Sequence, residues 1–302
     1  MESSNKIFIQ IASYRDPELV NTINDAIEKA ADPNSLTFGI CWQYDDTEKL
    51  DKYINDPRFK IIRIHYTQSR GACWARHLIQ KLYCGEKYTL QLDSHHRFIQ
   101  DWDRILIEML ENLRSKSKKP VLSTYVAPYE VGYPVANCGP CRMIAKATHD
   151  IGFNFFPEFI PNHTELKGPI AARFISAHFL FADGTICTDC LYDPNIYFSG
   201  EEHTYAVRLY THGYDLYHPH LNVVYHEYTR NYRNKHWDDH TDPKKNAWYN
   251  LDAESKKRVR QLLGIQNYHI DLGIYDLGSE RTLLDYQKYA KLNWKTSKIE
   301  DF

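Results

Sequence analysis

Apolar positions along this chain fall into short continuous runs that alternate with stretches in which they recur every three or four residues. Residues 6–13, 36–42, 59–65 and 88–92 are runs of the first kind. Their length, their β-branched and aromatic content and their polar flanks predict buried strands. Leu19, Ile23, Ile27 and Ala30 follow the helical period behind Asp16 and Pro17, a pair suited to cap a helix and to open it. Ala75, Leu78, Ile79 and Leu82 predict a helix over 72–83, and Ile105, Leu106, Met109, Leu110 and Leu113 predict one over 101–114. Strand, helix, strand, strand, helix, strand is the order of an α/β fold, a mostly parallel mixed sheet flanked by helices.

The second half is less regular. Residues 121–126 read as a strand, 127–167 as irregular loops rich in Pro, Gly, Asn and Tyr, and 173–182 as a strand carrying Phe174, Ala177, Phe179 and Phe181. A helix opens at Glu201-Glu202 and ends at Gly213, and residues 221–225 form a strand with His226 at its end. Helices over 259–263 and 282–289 close the chain, so the sequence divides into an α/β domain at 1–230 and a helical, lid-like extension at 231–302.

At 302 residues and 43% apolar, the chain has ample material for a core. Lys and Arg total 37 against 39 Asp and Glu, a net charge of −2, which argues against nonspecific binding to nucleic acid or anionic membranes. The start, Met-Glu-Ser-Ser-Asn-Lys, has no leader pattern and no window is long enough to span a bilayer. These features lead us to expect a soluble, cytoplasmic protein. The count of 7 cysteines is odd and does not suit a disulfide framework. Cys138 with Cys141 and Cys187 with Cys190 have the C-x-x-C spacing of a structural zinc site, but the gap between the pairs is longer than in the commonest zinc ribbons and free thiols are the favoured reading.

The chemistry concentrates at Asp93-Ser94-His95, where the fourth strand ends. A carboxylate and an imidazole two residues apart on extended chain can grip one divalent cation from the same side, although a polar turn has the same composition. There is no G-x-G-x-x-G behind the first strand and no G-x-x-x-x-G-K-[ST] in the chain, which excludes the usual dinucleotide and P-loop sites. Glu201 and Glu202 sit where a helix dipole favours acids, which is their plain explanation.

Taken in order, Ser-Tyr-Arg-Asp-Pro-Glu-Leu at 13–19, Cys-Trp-Ala-Arg-His-Leu-Ile-Gln-Lys-Leu-Tyr at 73–83, Leu-Asp-Ser-His at 92–95, Tyr-Asp-Pro at 192–194, Phe-Ser-Gly-Glu-Glu at 198–202 and His-Glu-Tyr-Thr-Arg at 226–230 form a set. The set resembles the glycosyltransferases that attach N-acetylglucosamine to hydroxyproline of a cytosolic ubiquitin-ligase subunit (glycosyltransferase family 60), and their bacterial relatives. More distantly, it is similar to the polypeptide GalNAc-transferases. The resemblance implies a GT-A fold, a UDP-sugar donor, Mn2+ or Mg2+, retention of anomeric configuration and a protein or glycan hydroxyl as acceptor. It further implies Asp93, His95 and His226 as metal ligands. Ser94 would stand near the ribose or donor sugar, Ser13, Arg15 and Gln43 near the uridine, Arg76 in support of that pocket, and Arg230 on the diphosphate. Glu201, then Glu202, would assist at the donor sugar, where a carboxylate steadies oxocarbenium charge. Other UDP-sugars (glucose, galactose, GalNAc) on a glycan, or a non-catalytic carbohydrate-binding role, remain the alternatives.

Overall fold

A computed structural model describes residues 5–133, 138–148, 151–229, 231–245 and 247–299. The strands are β1 (Ile7–Tyr14), β2 (Leu36–Tyr44), β3 (Phe59–His65), β4 (Tyr88–Asp93), β5 (His96–Phe98), β6 (Pro120–Ser123), β7 (Ala127–Tyr129), β8 (Cys141–Ala147), β9 (Phe153–Phe159), β10 (Ile170–Ala171), β11 (Phe179–Asp183), β12 (Asp215–His218) and β13 (Val224–Glu227). The helices are α1 (Leu19–Glu28), α2 (Asp51–Ile54), α3 (Ala72–Gln80), α4 (Trp102–Glu111), α5 (Ile186–Asp189), α6 (Glu201–Thr211), α7 (His236–Asp239), α8 (Trp248–Leu262) and α9 (Leu283–Ala290). A short antiparallel pair, β14 (Leu292–Asn293) and β15 (Lys298–Ile299), ends the described chain.

The main sheet has 8 strands in the order β10-β12-β6-β11-β4-β1-β2-β3. From β4 through β3 it is parallel, and β11 enters antiparallel between β4 and β6. It is therefore the expected mixed sheet, with helices on both faces. Ile7, Ile9 and Ile11 of β1 face a core with Leu19, Ile23, Leu106 and Leu110. Phe8, on the opposite face, joins Ala75, Ile79 and the apolar side of α6. Burial on both faces explains why β1 reads as a continuous run rather than an alternating one. The Phe8 ring also requires Gly39 on the neighbouring strand, where an added Cβ would lie 2.4 Å from its Cζ.

A second sheet, β5-β13-β7, lies beyond the carboxyl end of β4. In it β13 runs antiparallel to β5, with His226 opposite His96, and parallel to β7. Thus His226 is inside a strand, not after one.

Residues 127–167 are more ordered than their composition suggests. Cys141–Ala147 and Phe153–Phe159 pair antiparallel, burying Met143, Phe153 and Phe155 while Asn154 and Phe156 remain exposed. Pairing and half-burial override the Pro and Asn content. The strand expected from 173 begins at Phe179, because Ser176 turns the chain by giving its N–H to Ser123 Oγ at 2.7 Å. The helix behind Pro17 starts two residues later, at Leu19. At the C-terminal end, Val259 and Leu262 of α8 and Tyr286 and Ala290 of α9 enter the same core as α6. No helix among the described residues is long and apolar enough to cross a membrane.

Candidate active site

Parallel pairing brings β1 and β4 to the same edge, with Ala12 opposite Asp93. Ligands bind at the carboxyl edge of such sheets, where loops converge without disturbing the core. Asp93 Oδ2 lies 3.5 Å from His226 Nε2 and 4.0 Å from His95 Nε2. One ligand atom from each of the three residues falls within 4.8 Å of the others. His95 Nε2 is buried without a hydrogen-bond partner, and it faces the carboxylate. Its other nitrogen, Nδ1, lies 2.7 Å from Asp16 Oδ2, and the Ser94 hydroxyl donates to the same oxygen at 2.7 Å. Burial depresses the imidazole of His226 far below its ordinary value, against the pull of Asp93. His226 is therefore neutral, the form that binds metals. One carboxylate oxygen and two imidazole nitrogens, one of them orphaned, fit a first-row divalent cation.

The His226 ring stacks on His178 at 4.4 Å between centroids and lies 4.9 Å from His96. Burial holds both of these neighbours neutral. His96 does not join the ligand group; its Nδ1 lies 3.1 Å from the Asp93 carbonyl oxygen. His178 Nε2 accepts the Val126 N–H at 3.3 Å, which fixes the ring against His226.

On the opposite side of Asp93, Arg76 donates from Nη2 to Asp93 Oδ1 at 2.7 Å and from Nη1 to Glu201 Oε1. Burial would raise the Asp93 carboxyl, but the His226 hydrogen bond and the Arg76 charge prevail and hold it well below the carboxylate range. Glu202 takes the Tyr125 hydroxyl at 2.7 Å and the Ala177 N–H at 2.9 Å. Burial raises its pKa despite those donors. Arg76, Asp93, His178, Glu201, Glu202 and Trp237 all line one cavity of about 430 Å3.

The residues expected near a nucleotide are arranged around the adjoining turn. Gln43 lines the cavity, gives its amide to the Ser13 carbonyl at 3.0 Å and accepts the Ser69 hydroxyl at 2.5 Å. Arg15 is engaged by Asp45 at 3.0 Å and by Asp239 at 2.8 Å, and Tyr14 donates to Asp239 at 2.8 Å. Ser94 lines the cavity with its hydroxyl turned to Asp16. Arg230 lies outside the described residues.

The four cysteines are free thiols, and the zinc option is not supported. Among the described residues, the four cysteines form no group able to hold a metal. Cys141 starts the hairpin, whereas Cys187 lies in α5 and its sulfur accepts the Gln10 amide at 3.3 Å. Burial pushes the Cys187 thiol up to about 12, which disfavours the thiolate that zinc needs.

Asp16 and His178 carry structure around the ligand group that sequence reasoning missed. Asp16 reads as a helix cap, and His178 falls within an apolar run without a motif.

A family model described as "Glycosyltransferase (GlcNAc)" matches residues 6–54 and 47–296. Among solved structures, the chain is similar to GalNAc-T7 with UDP, GalNAc and Mn2+, at a TM-score of 0.65 and 14% identity over 95% of this chain and 50% of that one. TarS of S. aureus, residues 1–349 in complex with UDP-GlcNAc, aligns with a TM-score of 0.48 and 12% identity over 87% of this chain and 77% of that one. The chain spans about half the length of the GalNAc-T7 chain. No protein of curated function matches the sequence. The GalNAc-T7 likeness identifies the fold as GT-A, and because the family match runs through most of its length the chain belongs to the Glycosyltransferase (GlcNAc) family.

Proposed function

We propose that this protein transfers N-acetylglucosamine from UDP-GlcNAc to a hydroxyl, on hydroxyproline, Ser or Thr of a protein acceptor, with retention of configuration and with Mn2+ or Mg2+ as cofactor. The observation that carries the reading is the convergence of Asp93, His95 and His226, the first two of which line a cavity together with Arg76, Glu201 and Glu202.

Asp93, His95 and His226 would hold the cation, which when bound steadies the negative charge of the departing UDP as a Lewis acid. Arg76 orients that carboxylate: by engaging Oδ1 it leaves Oδ2 facing the two imidazoles. Glu201 is the counter-charge that keeps Arg76 in place. Glu202 is held by neutral donors rather than in a direct ion pair, and we set its carboxylate against the positive charge that develops on the donor sugar. The 231–302 extension acts as a cover on the 1–230 catalytic part, with Lys235, His236 and Trp237 closing the cavity wall.

The test is to incubate the protein separately with UDP-GlcNAc, UDP-GalNAc, UDP-glucose and UDP-galactose plus Mn2+ and to follow UDP release. The expected result is turnover of UDP-GlcNAc that EDTA and Asp93→Asn both abolish. Consumption of a different donor would reassign the sugar. No donor loss and no UDP binding would make the chain a binding module instead.

A further inference from the structure

The carboxylate of Asp16 is fully enclosed, with a side-chain exposure of 0%. Its two oxygens serve different parts of the molecule. Oδ1 accepts the Glu18 N–H at 3.0 Å and closes the turn that leads into α1. Oδ2 accepts the Ser94 hydroxyl and faces His95 Nδ1, each at 2.7 Å. Arg233 Nε stands 3.3 Å from the same Oδ2 as an ion pair, out of hydrogen-bond alignment. The preceding residue, Arg15, has a φ of 46°, a left-handed conformation that a long side chain seldom adopts. That turn carries Asp16 off the end of β1 and under the 94–95 loop.

We propose that Asp16 is a positioning residue that sets the tautomer of His95 and ties the metal-ligand loop to the segment around Arg233. A carboxylate facing Nδ1 places the ring proton there and leaves Nε2 as a lone-pair donor. That nitrogen is the buried, unpartnered atom 4.0 Å from Asp93. Arg233 and the neighbouring Lys235, His236 and Trp237 line the cavity, so one carboxylate anchors both a ligand and the wall that encloses it. A helix cap alone would use Oδ1 and have no need of Oδ2.

The inference rests on the proposed metal site, and the experiment separates the two. Mn2+ binding to the chelator-stripped protein is measured directly by electron paramagnetic resonance, without donor or acceptor, for the parent, Asp16→Asn, Asp16→Glu and Arg233→Gln. Parent binding upholds the metal site, and its absence overturns both readings. With parent binding established, Asp16→Asn should weaken Mn2+ affinity about 10- to 100-fold. Asp16→Glu should recover part of that loss. Arg233→Gln should keep Mn2+ affinity within about threefold of the parent while raising KM for the UDP-sugar. An Asp16→Asn variant that melts like the parent without metal and binds Mn2+ equally well overturns the inference. Should that variant fail to fold, imidazole 15N NMR of the parent decides: His95 protonated at Nδ1 supports the role, and protonated at Nε2 overturns it.

Discussion

Arg76 and Glu201, 125 residues apart in sequence, meet as an ion pair in which each side chain is 5% exposed. Neither charge can reach solvent alone, so the pair fixes the start of α6 against α3. Removing the cation would leave Glu201 buried and uncompensated. Arg76→Ala should therefore destabilise the fold by roughly 3–5 kcal/mol, read as a lower urea midpoint, with donor turnover lost as well. A loss below about 1 kcal/mol would show that water reaches the carboxylate.

Gly200 precedes Glu201 with a φ of +89°, and an added Cβ would lie 2.6 Å from Val259 Cγ1 of α8. Gly200→Ala should destabilise by roughly 2–4 kcal/mol, the sum of left-handed strain and overpacking. It should also lower kcat, because the turn that aims Glu201 and Glu202 has to move. Parental stability in urea would contradict the close approach of α8.

His218 joins the hairpin to the main sheet: its Nδ1 donates to the Ser123 carbonyl at 2.7 Å, and its Nε2 accepts the Met143 N–H at 3.1 Å. Accepting at Nε2 while donating from Nδ1 requires the neutral ring, because protonation would remove the Nε2 acceptor. Burial moves its pKa down from the ordinary 6.5 to about 4. A folded value below the unfolded one means the stabilisation is complete above pH 6.5 and declines as pH falls toward 4. At full size the loss is about 3 kcal/mol. Urea unfolding at several pH values should show this decline, and His218→Gln should reduce the slope. An unchanged slope would assign the acid sensitivity to other groups.

Cys84 is exposed, whereas Cys41, Cys73, Cys141, Cys187 and Cys190 are buried. A thiol reagent on the native protein should modify Cys84 first, with the buried group reacting only on unfolding. Protein purified without chelators should carry well under one zinc per chain by elemental analysis. Stoichiometric zinc released together with thiol exposure would favour a structural zinc site at the cysteines.

The central strands were legible because burial on both faces leaves continuous apolar runs at β1, β2 and β4. The hairpin at 141–159 was not, since only Met143, Phe153 and Phe155 mark its inner face and the pairing itself supplies the rest. Asp93, His95 and His226 stand out in the sequence only through their place in an ordered motif set, and the fold brings their ligand atoms within 4.8 Å of one another. Asp16 reads as a cap because local rules see only the turn it closes, not the loop that returns to it 78 residues later. His178 carries no pattern of its own; only the stacking on His226 distinguishes it.

His226 hangs from a ladder in which it is paired with His96. Sliding that strand by a single position would turn its imidazole to the reverse side of the sheet and leave Tyr225 or Glu227 in its place. A nascent chain has emitted Asp93 and His95 well before residue 226 exists. The Asp93, His95 and His226 group is thus a product of finished tertiary assembly, and the cation capture proposed for it would report correct strand alignment in any folded preparation.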